Sequence, residues 1–154
     1  MVVGYTTGVF DLFHVGHVNL LRNAKSMCDR LIVGVTVDDL VQYKNKRAVI
    51  PFEERIEIVR SSRYVDLAVP QETMDKLDAF HRYKFNLMFV GDDWYRHQRW
   101  RELDASFQDL GVRIVYFPYT KSTSSTLINQ TLERLRSADA AQDPAIDAPV
   151  LTHG

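Results

Sequence analysis

The sequence predicts an open, five-stranded parallel α/β sheet with helices on both faces. Two observations carry this. Short β-type runs alternate with helix-period segments almost throughout the chain, and the clearest run, Arg30 to Val37 (RLIVGVTV), is continuously apolar and β-branched, as a strand covered on both faces must be.

Element by element, Val2 to Thr7 reads as a strand and Val18 to Cys28 as an amphipathic helix. After the strand at 30–37, Phe52 to Ser61 has helical spacing, with Pro51 well placed just before it. Tyr64 to Val69 is a short strand closed by Pro70, and Asp75 to Tyr83 is helical. Asn86 to Val90 is a strand, and Gln98 to Leu110 is a helix ended by Gly111. Val112 to Phe117 is the last strand and Ser124 to Leu135 the last helix. Residues 1–136 make one domain, and the Ala-, Asp- and Pro-rich tail 137–154 is expected to be disordered.

The bulk composition narrows the class. A chain of 154 residues with 45% hydrophobic and 25% charged content is an ordinary globular protein. A net charge of −1 gives no global field for nucleic acid or membrane, so any anion binding must be local. The single cysteine, Cys28, rules out an internal disulfide and multi-cysteine metal sites. No leader or membrane-length apolar run is visible, and a cytoplasmic protein is expected.

In doubly wound sheets ligands bind beyond the carboxyl ends of the strands. The first such segment is TTGVFDLFHVGHVNLL, residues 6–21. Gly8 allows a sharp exit from the strand, and Gly16 allows close approach of a bulky ligand. His14 and His17, three apart near a helix start, present two imidazoles beside free N–H groups, an arrangement suited to phosphate. The competing readings are a metal pair, for which only Asp11 offers a further ligand, or two incidental histidines. The second segment carries Lys44, Lys46 and Arg47, either a solvated charge run or cations beside two repelling phosphates. The third is VGDDWY, residues 90–95. Gly91 permits close approach there, Asp92 or Asp93 can accept an exocyclic amine, and Trp94 can line a base; a plain capped turn competes with this. The fourth, YTKSTSSTLI at 119–128, offers hydroxyls and helix-start amides to phosphate, or is only an N-cap.

The string GVFDLFHVGH resembles the GxFDxxHxGH signature of the cytidylyltransferase family of nucleotidyltransferases. The resemblance spans roughly residues 2–136 and implies a Rossmann-like nucleotidyltransferase fold. It implies that His14 and His17 contact the triphosphate and stabilise a pentavalent transition state. Val9 and Phe10 would lie against the nucleotide, with Thr7, Gly8 and Gly16 around it, and Asp11 would hold the loop in shape. It gives Lys44 to the incoming phosphate, Lys46 to CTP, and Gly91, Asp93 and Trp94 to the nucleotide. The GDDW string favours the branch that uses glycerol phosphate. Thr120, Ser124, Ser125 and Thr126 match a loop that wraps the triphosphate, but Tyr119 replaces the family's arginine and Ser122 its glycine, with Lys121 as a compensating cation. FEERIEIVRSSRYVD implies Arg55 and Arg63 near the active site and a dimer contact, and Lys76 aligns with an acceptor-binding lysine.

The chemistry so implied is attack by an alcohol phosphate on CTP, with Mg²⁺ arriving on the CTP and a homodimer as the assembly. Rivals keep the fold and use ATP, or use phosphoethanolamine or phosphocholine. Tyr43, Tyr95 and Trp100 are the aromatic residues available to cage a quaternary ammonium. A nucleotide-binding module without turnover is the rival of a different class, resting on Tyr119 and Ser122.

Overall fold

The computed structural model describes residues 1–43, 47–91, 98–118 and 125–142. Its strands are β1 (Val3–Gly8), β2 (Arg30–Thr36), β3 (Leu67–Gln71), β4 (Leu87–Gly91) and β5 (Arg113–Phe117). Its helices are α1 (Val15–Ser26), α2 (Asp38–Tyr43), α3 (Phe52–Arg60), α4 (Lys76–Tyr83), α5 (Gln98–Asp109) and α6 (Ser125–Gln142). The five strands form one sheet in the order β3-β2-β1-β4-β5, and every adjacent pair is parallel.

Alternation along the strands feeds two cores. Leu31, Val33, Val35 and Phe89 face Leu21 and Ala24 of α1 and Ile56 and Val59 of α3. Tyr5, Ile32, Met88, Val90 and Ile114 face Ala79 of α4 and Phe107 of α5. Both faces of β2 are therefore dry, which is why its sequence shows no polar alternation. Each fully buried large side chain, such as Phe107, contributes about 1.5–3 kcal/mol.

The main differences from the sequence reading lie in α1, α2, β3 and α6. Helix α1 starts at Val15 rather than Val18, which makes His14 its N-cap. Strand β3 starts at Leu67 and runs through Pro70, because β3 is an edge strand where a missing N–H costs no ladder bond. Tyr64 and Val65, expected in that strand, pack against the α1/α3 core ahead of it. The six-residue helix α2 has too little periodicity to be seen in sequence, and α6 continues to Gln142, past the expected end at Leu135. Among the described residues no helix is long and apolar enough to cross a membrane.

Strands β2 and β4 flank β1, and the chain crosses from one side of β1 to the other between β3 and β4. The carboxyl ends of β1 and β4 thus form the switch point at which this class of sheet binds ligands.

Candidate active site

The loop leaving β1 is built under backbone strain. Phe10 and Leu12 both hold left-handed conformations, with φ of 55° and 49°, each of which costs a non-glycine residue about 1 kcal/mol or more. Nearby side chains hold the loop there. Asp11, 7% exposed, accepts the N–H groups of Leu12, Val49 and Ile50, the last two at 2.8 and 3.0 Å, and so joins this loop to the chain entering α3.

His14 and His17 form a capping box at the start of α1. The Gly16 N–H donates to His14 Nδ1 at 3.0 Å, and the His14 N–H donates to His17 Nδ1 at 3.1 Å. A ring nitrogen that accepts a backbone N–H carries no proton, so each neutral imidazole keeps its proton on Nε2, on the side of the ring away from the bonded backbone. The rings lie 4.0 Å apart between centroids, with Phe13 stacked on His17 at 5.2 Å. Burial lowers the pKa of both histidines; for His17 burial and the adjacent His14 push it down to about 4. Near neutral pH the helix start therefore presents two uncharged Nε2–H donors beside the positive end of α1.

Arg55 is the hub behind this loop. Its side chain is fully buried, with Nε donating to Ile50 O at 2.8 Å and Nη1 to Val9 O at 2.7 Å and Thr36 O at 2.8 Å. Nη2 pairs with Asp38 Oδ1 at 2.7 Å, and Asp38 Oδ2 also accepts the Phe52 N–H that opens α3. Burial would raise the Asp38 carboxyl, but the Phe52 N–H and Arg55 guanidinium hold it below its ordinary value. One planar guanidinium thus ties together the exits of β1 and β2 and the entry to α3.

The cleft itself, ≈ 450 Å³, opens over the ends of β1 and β4. Thr7, Gly8, Val9 and Gly91 line it, as do Thr36, Gln71, Lys76, Arg99 and Trp100. Leu20 lies three residues beyond His17 on the same side of α1 and forms part of the wall. Lys76, 8% exposed at the start of α4, donates from Nζ to Thr7 Oγ1 at 2.8 Å. Three of these wall residues escaped the sequence reading. Thr36 and Gln71 end their strands without any motif. Arg99 belongs to a basic run with Arg96 and Arg101, and that run was the available signal.

The expected site residues therefore separate. Thr7, Gly8, Val9 and Gly91 line the cleft with Lys76, while Phe10, Asp11, His14, Gly16 and His17 build the loop and helix start beside it. Arg55 and Arg63, expected near the active site and a dimer contact, do not line this cleft. Arg55 points inward to carbonyls, and Arg63 is exposed over the Tyr64 ring at 6.0 Å, before the amino end of β3 and so at the far end of the sheet. Ser125 and Thr126 open α6. Lys44, Lys46, Asp92, Asp93, Trp94, Tyr95, Tyr119, Thr120, Lys121, Ser122 and Ser124 lie outside the described residues. Among those described, no group of three or more histidine, cysteine, aspartate or glutamate side chains is arranged to hold a metal ion, and Asp11 is engaged by backbone amides.

A doubly wound parallel sheet with a strained glycine-led loop, a helix start carrying two N–H donors and a cleft at the switch point defines a nucleotide-handling α/β enzyme. The chain belongs to the cytidylyltransferase-like family, whose model matches residues 5–131, and is an enzyme of the nucleotidyltransferase type. It is 34% identical to glycerol-3-phosphate cytidylyltransferase of Staphylococcus aureus, over 82% of this chain and 92% of that protein. It is also 32% identical to the FAD synthase of Pyrococcus horikoshii, over 88% of this chain and 90% of that one. Among solved structures, a lipopolysaccharide core biosynthesis protein from Thermoplasma volcanium shares the fold, with a TM-score of 0.66 and 24% identity over 80% of this chain and 99% of that one.

Proposed function

We propose that the protein transfers the cytidylyl group of MgCTP to glycerol 3-phosphate. A phosphate oxygen of the acceptor attacks the α-phosphorus in line; the bond to the β-phosphate oxygen breaks, giving CDP-glycerol and pyrophosphate. The observation that carries this is the paired Nε2–H donors of His14 and His17 at the start of α1. Such donors meet charge that develops on the phosphoryl oxygens without first having to lose a proton. Positioning and charge neutralisation are what this chemistry requires of a protein, more than a covalent nucleophile. Lys76 supplies a buried cation on the cleft wall for the acceptor phosphate, and Lys44 and Lys46 are assigned by resemblance to the acceptor and CTP. Mg²⁺ enters on the triphosphate, held by phosphate oxygens and water. The same proposal includes a homodimer and a cytoplasmic location.

The similarity to FAD synthases supports a second reading, adenylyl transfer from ATP to a flavin phosphate in the same cleft. Pyrophosphate release from the purified protein decides between them, with MgCTP and MgATP crossed against glycerol 3-phosphate, phosphocholine and flavin mononucleotide. Release with CTP and glycerol 3-phosphate alone is expected. Release only with ATP and the flavin would replace the substrate assignment.

A further inference from the structure

The ends of β2 and β3 contribute two polar side chains to the wall of the cleft. Thr36 and Gln71 are register partners in the parallel ladder, so their side chains share a face. They are 1% and 6% exposed, and both line the cleft. Thr36 Oγ1 donates to Gln71 Oε1 at 2.7 Å, which fixes which end of the amide faces the threonine. The other end, Nε2, carries two N–H donors. Among the described residues its acceptor is Met74 Sδ at 3.8 Å, a weak one. A buried amide with donor capacity left over is costly unless an oxygen meets it. Lys76 lines the same cleft, and its Nζ rests on Thr7 Oγ1, on the strand next to β2.

We infer that Gln71 reads the acceptor: its Nε2–H donates to a hydroxyl oxygen of a polyol phosphate whose phosphate is neutralised by Lys76. This rests on the proposed function and deepens it from a phosphate-bearing acceptor to one that carries a hydroxyl near the phosphate. The selectivity follows from the asymmetry of buried hydrogen bonds. A site built to bond a substrate oxygen rejects an analogue without it far more strongly than an apolar pocket rejects an extra methylene. A trimethylammonium group has no acceptor atom and would leave the Gln71 N–H groups buried and unmet. Thr36 acts through Gln71 and is a positioning residue: without its hydroxyl, the amide loses the bond that orients it.

The test is calorimetric titration of glycerol 3-phosphate and, separately, inorganic phosphate into wild type, Gln71→Met and Thr36→Val, with turnover of wild type measured alongside. Gln71→Met keeps the length and volume of the side chain and removes the donor. The expected result is a ten- to hundredfold weaker affinity for glycerol 3-phosphate and a change of less than threefold for phosphate. The affinity of MgCTP should be unaltered, and Thr36→Val should give a smaller loss of the same kind. Equal weakening for both anions, or none for either, overturns the role of Gln71 while wild-type turnover leaves the proposed function standing. Absence of both binding and turnover of glycerol 3-phosphate by wild type overturns the proposed function and the polyol assignment with it. Thermal unfolding of each variant separates these results from a loss of fold, since a purely structural Gln71 would lower the midpoint without separating the two anions.

Discussion

The backbone N–H of His14 donates to Nδ1 of His17 at 3.1 Å, so the side chain proposed to act on phosphate also caps its own helix. Capping and chemistry thus use opposite nitrogens of one ring. His17→Asn keeps an acceptor near the Nδ1 position and removes the Nε2–H. We expect it to unfold within about 1 kcal/mol of wild type, whereas turnover falls by roughly 10²–10³-fold. His17→Ala loses both the cap and the donor. Denaturant midpoints and initial rates measured on the two variants together separate the roles, and near-full activity of the asparagine variant would refute the mechanism.

The lowered pKa of His17 also predicts a pH dependence of stability. The folded ring titrates at about 4 and the unfolded one near 6.5, so between these values the unfolded chain binds a proton that the folded chain does not. Stability is therefore complete above pH 6.5 and falls as the pH drops toward 4, by an amount on the order of 2–3 kcal/mol. Urea midpoints from pH 7.5 to 4.5 should show the fall in wild type, and His17→Asn should reduce its slope.

Arg55 tests the loop architecture. Arg55→Met leaves the carbonyl oxygens of Val9, Thr36 and Ile50 without their donor and the Asp38 carboxylate without its cation. A loss of about 3–5 kcal/mol is expected. Arg55→Lys should recover only part of it, because one ammonium cannot span the same acceptors. Asp38→Asn should cost less, since an amide oxygen still accepts the Phe52 N–H.

Lys76 tests the acceptor side of the cleft. Lys76→Met should lower kcat/KM for the acceptor about ten- to hundredfold, as loss of a charged hydrogen bond does. Steady-state rates with the acceptor varied at saturating MgCTP check this, and a melting curve separates it from a loss of fold.

Gly4 of β1 leaves no room for a side chain. A Cβ there would lie 2.6 Å from the Phe89 ring and 2.8 Å from Cys28 Sγ. Gly4→Ala should destabilise by about 1–3 kcal/mol through overpacking. Phe89→Leu in the same chain should relieve part of that cost, as a double-mutant cycle on chemical unfolding would reveal.

The sequence by itself determined the class of the fold and marked the loop and helix start where the chemistry is proposed. The unbroken apolar run of β2 requires cover on both faces, and the spacing of Phe52 to Arg60 allows only a helix. GVFDLFHVGH announces the loop and helix start, because glycines and paired histidines at that spacing are local features of the chain. Tertiary structure decided the remainder. That Arg55 turns inward depends on three carbonyl oxygens from segments far apart in sequence, and no local pattern shows them. Pro70 stays within a strand only because β3 lies at the edge, a matter of strand order. The pairing of Thr36 with Gln71 joins two residues with no motif between them, brought together by the register of β2 against β3. Periodicity and turn chemistry act over a few residues and can be read along the chain. Register, strand order and the partners of a buried polar group arise from contacts between distant segments, and exist only once the sheet has formed.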